Sequence, residues 1–329
     1  MSQTLRELTG LRNRTGDVGV EVELEWDGDA LPRGIQGAYS ATPDGSRAWM
    51  GHQDNSLRNG YEYALDAPIT IDQLDWALNR LFTDVPKPLR WSQRTSIHCH
   101  FNMLNKDIVK IYNNILGFWV LEDLILEQCA PHRRGNLFAL PWKLADNQVT
   151  TLVEDYNKRR TPFATFHPDR YKYASMNLCN LTRFGTLEFR ALEGTDDKNK
   201  IMMFFQGIHE LFGNLEKFKN PAELFDWFYK TKNADEVIDR LLPNKLGEKI
   251  KTVKSYQDKM QESITELSYA AYLDWTKYEK ASTGEGEIEF MRNNLGDWAE
   301  GAFEAPPLVN AAAQEPPIRR PARFVQARQ

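Results

Sequence analysis

The sequence predicts an α+β fold, in which most strands lie in the first two thirds of the chain and helices follow. Three segments alternate apolar and ionisable side chains at strand spacing: Val18–Trp26, Ser96–Met103 and Gly185–Leu192. Successive side chains of a strand point to opposite faces, so each segment has one apolar and one charged face. From residue 198 onward, apolar residues recur at helical spacing. If the three strands share one sheet, their charged faces form a single surface, which we interpret as the active site.

The other predicted elements fill the chain between and after these strands. In chain order they are a loop over 27–47, a hairpin around Trp49 and Tyr61–Leu65, a helix over Ile71–Phe82, a helix from Asn105 or Lys106 that Pro131 stops, a strand over Tyr171–Leu178, and helices over Ile201–Leu215, Pro221–Lys230, Ala234–Leu242 and Lys245–Lys280. A capping-box spacing at Thr70 to Gln73 supports the first of these helices. We divide the chain into a region over 16–215 that carries the sheet, a helical extension over 216–300, and a Pro-, Ala- and Arg-rich tail over 301–329 that we expect to be disordered.

Composition limits the partners and the compartment. The chain has 329 residues, of which 41% are hydrophobic and 26% charged, enough for a large globular core. A net charge of -5 gives no broad reason to bind nucleic acid or an anionic membrane. The three cysteines lack C-x-x-C spacing, which indicates buried thiols. The N-terminal residues lack a secretory pattern, and the most apolar stretch, Ile115–Leu126, is too short to span a bilayer. We therefore expect a soluble, cytoplasmic protein without nucleic-acid or membrane partners.

Carboxylates cluster in two places near the start of the chain. Glu21 and Glu23 share one face of the first strand, although such a pair also occurs on the solvated face of an edge strand. Asp54 and Glu62 lie eight positions apart, on a turn and on the strand after it, and Asp54 could simply form an Asx turn. Because Mg²⁺ and Mn²⁺ prefer oxygen ligands, a site for either ion would recruit carboxylates of this kind.

Two further pairs add nitrogen donors to the charged surface. His98 and His100 point to one face, as in zinc amidohydrolases and cupins, and they could also be structural. Glu188 and Arg190 could form a surface salt bridge, but the guanidinium group also suits an anion such as a phosphoryl group. No G-x-x-x-x-G-K-[ST], G-x-G-x-x-G, G-x-S-x-G or H-E-x-x-H motif is present in the sequence. If the protein uses ATP, metals and basic side chains must hold the phosphates.

Taken in order, the motifs resemble those of the amidoligase family. They are Gly19–Glu23, Asp54–Leu57 with Glu62, Ser96–His100, and Thr186–Arg190 with Gly194 and Thr195. Amidoligases are carboxylate-amine ligases related to glutamine synthetase and glutamate-cysteine ligase, common in bacteria and phages, and the resemblance covers residues 16–197. It implies a curved antiparallel sheet of the glutamine-synthetase type, with helices on its outer face and the nucleotide on its concave face. The region 16–215 would then be the catalytic domain.

The resemblance also implies roles for individual residues. Glu23, Asp54 and Glu62 would hold one divalent metal, and Glu21, His98 and Glu188 the other. Asp54 departs from the Glu of glutamine synthetase, although amidoligases commonly have this Asp. Glu188, His100 and Arg190 would be catalytic, with the last two facing the phosphates. Further candidates for phosphate or carboxylate contacts are Arg94, Arg134, Lys172, Ser175 and Asn177.

The implied reaction is ATP-dependent formation of an amide bond. With Mg²⁺ or Mn²⁺ bound, a small-molecule or peptide carboxylate would attack ATP to give an acyl phosphate, and an amine would then displace phosphate. Specificity would reside in the loops 27–47 and 132–167 and in the C-terminal helices. Two alternatives remain at this stage: a zinc-dependent amide or ester hydrolase that uses His98 and His100, and a catalytically silent ligase-like binding protein.

Overall fold

An open antiparallel sheet of eight strands is the central layer of the protein. The structure is a computed structural model, and it describes residues 4–26, 39–40, 47–85, 89–144, 172–231 and 233–268. The strands are β1 (Val18–Trp26), β2 (Tyr39–Ser40), β3 (Arg47–Asp54), β4 (Gly60–Leu65), β5 (Leu89–Arg90), β6 (Ser96–Asn102), β7 (Met176–Asn177) and β8 (Thr186–Glu193). Their order across the sheet is β2-β3-β4-β1-β6-β8-β7, and β5 pairs with the end of β1. The predicted α+β class with an antiparallel sheet is confirmed.

Strand register brings the ionisable residues of the central strands side by side. Glu21 of β1 is opposite His98 of β6, and His100 of β6 is opposite Glu188 of β8. On the other side of β1, Glu23 is opposite Glu62 of β4. Because alternate side chains point to the same face, this register collects the charged side chains on one side of the sheet.

Most of the helices cover the opposite, apolar face. The helices are α1 (Leu5–Thr9), α2 (Leu74–Asp84, preceded by a 3₁₀ turn at Ile71–Gln73), α3 (Ile108–Leu126), α4 (Asn180–Arg183), α5 (Lys198–Leu215), α6 (Pro221–Lys230), α7 (Ala234–Leu241), α8 (Lys245–Ile250) and α9 (Tyr256–Glu266). The short helix α4 lies on the charged side, where Asn180 donates to Glu188. Aromatic rings join the layers: Phe101 of β6 lies 5.3 Å from Phe212 of α5, and Phe189 of β8 lies 6.0 Å from Phe118 of α3, between ring centroids. Helix α3 is buried on nearly all sides because it lies between the sheet and other helices. No helix among the described residues is both long enough and apolar enough to cross a membrane.

Some predicted elements differ from the structure at their ends. Helix α3 begins at Ile108, later than predicted, because the Asp107 side chain accepts a hydrogen bond from the Lys110 amide at 2.9 Å and caps the helix. It ends at Leu126, before Pro131. Between β7 and β8 the chain forms the short helix α4.

Two predicted elements are wrong in extent. The strand predicted over Tyr171–Leu178 is reduced to β7, and Tyr171 lies outside the described residues. The helix predicted over Lys245–Lys280 is two helices, α8 and α9, separated by residues 251–255, where Ser255 has a φ of 55°. Residues 269–280, the predicted tail over 301–329, and most of the predicted loops 27–47 and 132–167 also lie outside the described residues.

Substitution of two helical glycines tests the packing between α3 and α5. A Cβ added to Gly117 of α3 would lie 2.3 Å from Leu215 Cδ2, whereas a Cβ added to Gly213 of α5 would meet nothing within 4 Å. Leu215 is fully buried and has little room to move. We expect Gly117→Ala to lower the free energy of unfolding by about 1–3 kcal/mol through overpacking. Gly213→Ala should raise it by about 0.5–1 kcal/mol through helix propensity.

Urea unfolding followed by circular dichroism measures both effects. The two variants make the same chemical change in neighbouring helices, so a shift of the same sign in both would contradict the packing described here.

Candidate active site and metal centre

A cavity of about 1120 Å³ lies on the charged face of the sheet. Most of the residues proposed from the sequence as catalytic, nucleotide-binding or metal-binding line it, and Arg134 and Ser175 are the exceptions. Those that line it are Glu21, Glu23, Asp54, Glu62, Arg94, His98, His100, Lys172, Asn177, Glu188 and Arg190. They come from six strands and from the segments beside them. The fold therefore gathers residues that are far apart in sequence into one concave, polar site.

The first cluster of possible metal ligands joins the three central strands. Glu21, His98 and Glu188 each place a donor atom within 4.8 Å of the other two. His98 Nδ1 lies 2.8 Å from Glu21 Oε2 and 3.4 Å from Glu188 Oε1. Both His98 and Glu188 are buried, so bulk solvent only partly screens the two contacts between the imidazole and the carboxylates.

The second cluster uses His98 again, with two carboxylates from the other side of β1. Glu23, Glu62 and His98 also have donor atoms within 4.8 Å of one another, and His98 Nε2 lies 3.8 Å from Glu23 Oε1. Ser96 Oγ donates to Glu23 Oε2 and lies 2.9 Å from His98 Nε2. The Ser96 hydroxyl group thus holds the Glu23 and His98 side chains in place. His98 thus lies between the two clusters.

The donors in these clusters fit a hard divalent cation. Four carboxylates surround a single imidazole, and Mg²⁺ and Mn²⁺ prefer oxygen over nitrogen or sulfur. The sequence prediction that grouped Glu21, His98 and Glu188 matches the first cluster. In the second cluster, His98 is present where Asp54 was expected.

Asp54 and Glu25 take other positions in the structure. The Asp54 carboxylate accepts from the Ser56 amide at 2.7 Å, which is the Asx turn considered above, and it lines the cavity outside both clusters of described residues. Glu25, the third carboxylate of β1, is buried and accepts from the Arg58 amide at 2.9 Å. It ties β1 to the turn before β4.

Glu188 is the most heavily contacted carboxylate of the cavity. It accepts hydrogen bonds from Asn177 Nδ2 at 2.6 Å, from Asn180 and from Arg190. Burial lowers the pKa of Arg190, but the charges of Glu188, Glu21 and Glu23 outweigh it and raise the pKa above its ordinary value. Arg190 therefore stays fully charged beside the possible metal ligands.

The imidazole of His100 faces the cavity, and only one of its two nitrogens makes a hydrogen bond. Its Nδ1 contacts Thr186 Oγ1 at 3.0 Å, whereas the buried Nε2 has no hydrogen-bond partner among the described residues, although Glu21 Oε1 lies 3.3 Å away. Burial lowers the pKa of His100, but the charges of Glu21 and Glu188 raise it further, and the net shift is upward. That shift favours an imidazolium, which suits contact with an anionic group.

The surroundings shift the pKa values of Glu21 and Glu62 in opposite directions. Burial raises the pKa of Glu21, yet the neighbouring His100 and His98 outweigh burial and hold it well below its ordinary value. Burial and the charge of Glu21 raise the pKa of Glu62 to about 6. Crowded carboxylates in one site repel one another until a cation joins them.

The remaining candidates from the sequence are at the rim or outside the cavity. Arg94 is exposed and donates to the Ser56 carbonyl at 3.0 Å, and the exposed Lys172 has Nζ 5.6 Å from the Tyr173 ring centroid. Arg134 does not line the cavity, since it pairs with Glu127. Ser175 is buried behind the site and donates to Glu122.

Several cavity residues were missed by sequence reasoning. Arg133, Asn180 and Thr186 line the cavity and contact Arg190, Glu188 and His100, respectively. Thr186 lies two positions before Glu188, so strand alternation could have found it. Nothing in the local sequence distinguishes Arg133 from Arg134, because tertiary packing decides which of two adjacent arginines is turned inward.

The fold and the site together define a protein with an open antiparallel sheet and an oxygen-rich candidate metal centre. Residues 66–209 match the family model Amidoligase_2, described as "Putative amidoligase enzyme". Over these residues the chain is similar to the amidoligase family, and the match supports an enzyme of the ligase class. A search of curated proteins returned no match to the chain.

Because the carboxylates are crowded, we expect Glu62 to destabilise the metal-free protein and to contribute to metal binding. We expect Glu62→Gln to raise the melting temperature of the metal-free protein, because the change removes one of the repelling charges. The rise in melting temperature on adding Mn²⁺ should shrink, because the stabilisation depends on metal affinity. Differential scanning fluorimetry with and without Mn²⁺ measures both effects.

His52→Gln is the matched control for Glu62→Gln. His52 Nε2 lies 2.8 Å from Glu62 Oε1, but the imidazole is mostly exposed, so this contact contributes little. The control removes the contact and keeps the carboxylate, and it should keep the full Mn²⁺ response. An equal loss of that response in both variants would argue against Glu62 as a ligand.

Proposed function

We propose that this protein is an ATP-dependent carboxylate-amine ligase that forms an amide bond through an acyl phosphate. The observation that carries the proposal is the convergence of Glu21, Glu23, Glu62, His98 and Glu188 beside Arg190 in one cavity. The family match over residues 66–209 supports the same reaction class. A small-molecule or peptide carboxylate and an amine are the proposed substrates.

The two clusters would each hold one divalent cation, and His98 would take part in one or both. Bound Mg²⁺ or Mn²⁺ would neutralise the charge on the phosphate oxygens of ATP and help to orient the γ-phosphate. Asp54 lies on the cavity wall, and its contribution would be indirect.

Arg190 and His100 would contact the transferring phosphoryl group. Arg190 is held by Glu188 and its Nε lies 3.4 Å from the Phe138 carbonyl, so its guanidinium group is fixed before substrate binds. His100 Nε2 makes no hydrogen bond among the described residues, although it lies 3.3 Å from Glu21 Oε1, and it could donate to a phosphate oxygen. Fixed donors aimed at developing negative charge are an efficient means of lowering a barrier.

The reaction would proceed in two displacements. A carboxylate oxygen of the first substrate attacks the γ-phosphorus, and the bond to the oxygen that bridges to the β-phosphate breaks, releasing ADP. The amine nitrogen then attacks the acyl carbon and loses a proton, and inorganic phosphate leaves. The oxygen-rich donors favour this chemistry over a zinc hydrolase, since each cluster among the described residues contains one imidazole, His98.

Measurement of ADP release tests the proposal. Purified protein would be incubated with ATP, Mg²⁺ or Mn²⁺, and pairs drawn from amino acids, peptides and polyamines, with the amide product identified by mass spectrometry. We expect release that requires a carboxylate, an amine and the metal, and that EDTA stops. Tightly bound zinc with ATP-independent hydrolysis would support the hydrolase instead. A folded, metal-binding protein that turns over no ATP with the whole panel would contradict catalysis.

A further inference from the structure

Arg133 is a buried cation on the cavity wall that the proposed metal and phosphate contacts do not use. It ends a 3₁₀ turn, Pro131–Arg133, which follows α3, and its side chain is 2% exposed. Nη2 donates to the main-chain carbonyl of Arg190 at 2.6 Å. Nε is buried and has no hydrogen-bond partner among the described residues.

Among the described residues, the charge of Arg133 has no direct counterion. In the part of the chain that the structure describes, no carboxylate lies within ion-pair distance of its guanidinium group. Burial lowers its pKa most strongly; the charge of Glu23 raises it, and the charge of Arg190 lowers it by less. An unpaired buried charge with an unsatisfied N–H is costly, so such a group is rarely kept for packing alone.

The neighbouring arginine shows that the unpaired state is particular to Arg133. Arg134 is exposed, forms an ion pair with Glu127 and donates to the main-chain carbonyls of Glu127 and Cys129. Arg134 is thus satisfied by the protein itself. Arg133, one position earlier, directs a partly unsatisfied guanidinium group into the same cavity that holds Arg190 and His100.

We propose that Arg133 is an anion-binding residue of this cavity, and that its Nε–H binds a phosphoryl or carboxylate oxygen of a reactant. The contact of its Nη2 with the main-chain carbonyl of Arg190 would fix the Arg133 guanidinium group on the cavity wall beside β8. A planar fork of donors binds an oxyanion more strongly than a neutral donor does. The assignment of the anion as a reactant rests on the proposed ligase function, whereas the binding site itself does not.

Binding of two simple anions tests the proposal without turnover. Inorganic phosphate and glutarate would be titrated separately into the full chain with Mg²⁺, and the Kd read by calorimetry or thermal shift. We expect Arg133→Gln to weaken binding of one probe by about tenfold to a hundredfold. Arg134→Gln, the matched control, should leave both Kd values unchanged. Arg133→Lys should recover part of the affinity, because it restores the charge without the fork.

The outcomes distinguish a phosphoryl site from a carboxylate site, and they distinguish failure of the anion site from failure of the proposed ligase function. A loss confined to phosphate identifies a phosphoryl site, and a loss confined to glutarate identifies a carboxylate site. Unchanged Kd values in both Arg133 variants, equal weakening in Arg134→Gln, or failure of the wild-type protein to bind either probe would overturn the inference. If Arg133→Gln fails to fold, Arg133→Lys carries the comparison. Arg133-dependent binding in a protein that never turns over ATP would refute the ligase and leave the anion site standing.

Discussion

Glu188→Gln is expected to lower kcat for ATP-dependent amide formation by about a thousandfold or more. The change keeps the size of the side chain and removes its charge. That charge serves two groups at once, because Glu188 Oε1 contacts both Arg190 Nη1 and, at 3.4 Å, His98 Nδ1. The variant would lose a ligand of the first metal cluster and leave Arg190 without its ion pair. Coupled measurement of ADP release, with the amide product quantified, gives kcat directly.

Glu236→Gln is the matched control for Glu188→Gln. Glu236 is exposed on α7 and does not line the cavity, so its replacement should leave kcat and metal binding unchanged. In Glu188→Gln, the Mn²⁺-induced rise in melting temperature should also fall. Wild-type kcat in this variant would remove Glu188 from the metal centre and from phosphoryl transfer.

A second large effect is expected on stability as a function of pH, from Glu122 of α3. This carboxyl group is fully buried; it accepts from the Trp142 amide at 3.0 Å and from Ser175. Burial raises its pKa from 4.5 to about 8, against the hydrogen bonds of Ser175 and Trp142, which lower it. Below pH 4.5 the group is protonated in both the folded and the unfolded chain. Between pH 4.5 and 8 only the unfolded chain releases the proton, so the free energy of unfolding falls as pH rises.

The fall should approach about 1.4 kcal/mol per pH unit, or on the order of 4 kcal/mol between pH 5 and 8. Glu122→Gln has no proton to lose, so the difference in stability between wild type and variant should change by this amount between pH 5 and 8. Urea unfolding at each pH measures that difference. Asp123→Asn is the control, since Asp123 is the adjacent carboxylate and pairs with Lys143 outside the core. Parallel curves for wild type and Glu122→Gln would show that the buried carboxyl group does not hold its proton.

The sequence was most informative where the strand period and the chemistry agreed. In β1, Val18, Val20, Val22 and Leu24 are buried in the core, while Glu21 and Glu23 line the cavity. The same division holds in β6 and β8, because a side-chain period of two leaves little freedom once one face is apolar. The antiparallel sheet and the set of cavity residues could therefore be predicted from these strands.

The parts that could not be predicted depend on contacts distant in sequence. The position of His98 between two clusters follows from strand register, which brings Glu21, Glu23 and Glu62 around it from two neighbouring strands. Alternation places Glu23 and Glu62 on the charged face. Asp54 is a local exception, because its carboxylate accepts from the Ser56 amide two residues later, in the Asx turn that the sequence left open beside metal binding.

Sequence periodicity also gave wrong predictions for Ser175 and for the helix after residue 245. Ser175 was expected in the site, yet its hydroxyl group turns toward Glu122 behind the sheet, because the segment after Tyr173 pairs with Leu140 as well as with β8. The helix predicted over Lys245–Lys280 is interrupted at 251–255 although its sequence is helix-compatible, since packing on α3 and α5 sets the directions of α8 and α9. These choices depend on tertiary contacts that single-sequence periodicity does not contain.

The donors of the candidate metal centre come from distant parts of the chain. His98 and Glu21 are 77 residues apart, and Glu188 joins them only when β8 pairs with β6. Closing such long loops costs entropy before the contact contributes. The chain must also bring like charges together while it closes the sheet. Complete ligation is therefore a property of the fully paired sheet, and metal affinity reports on whether that pairing is complete.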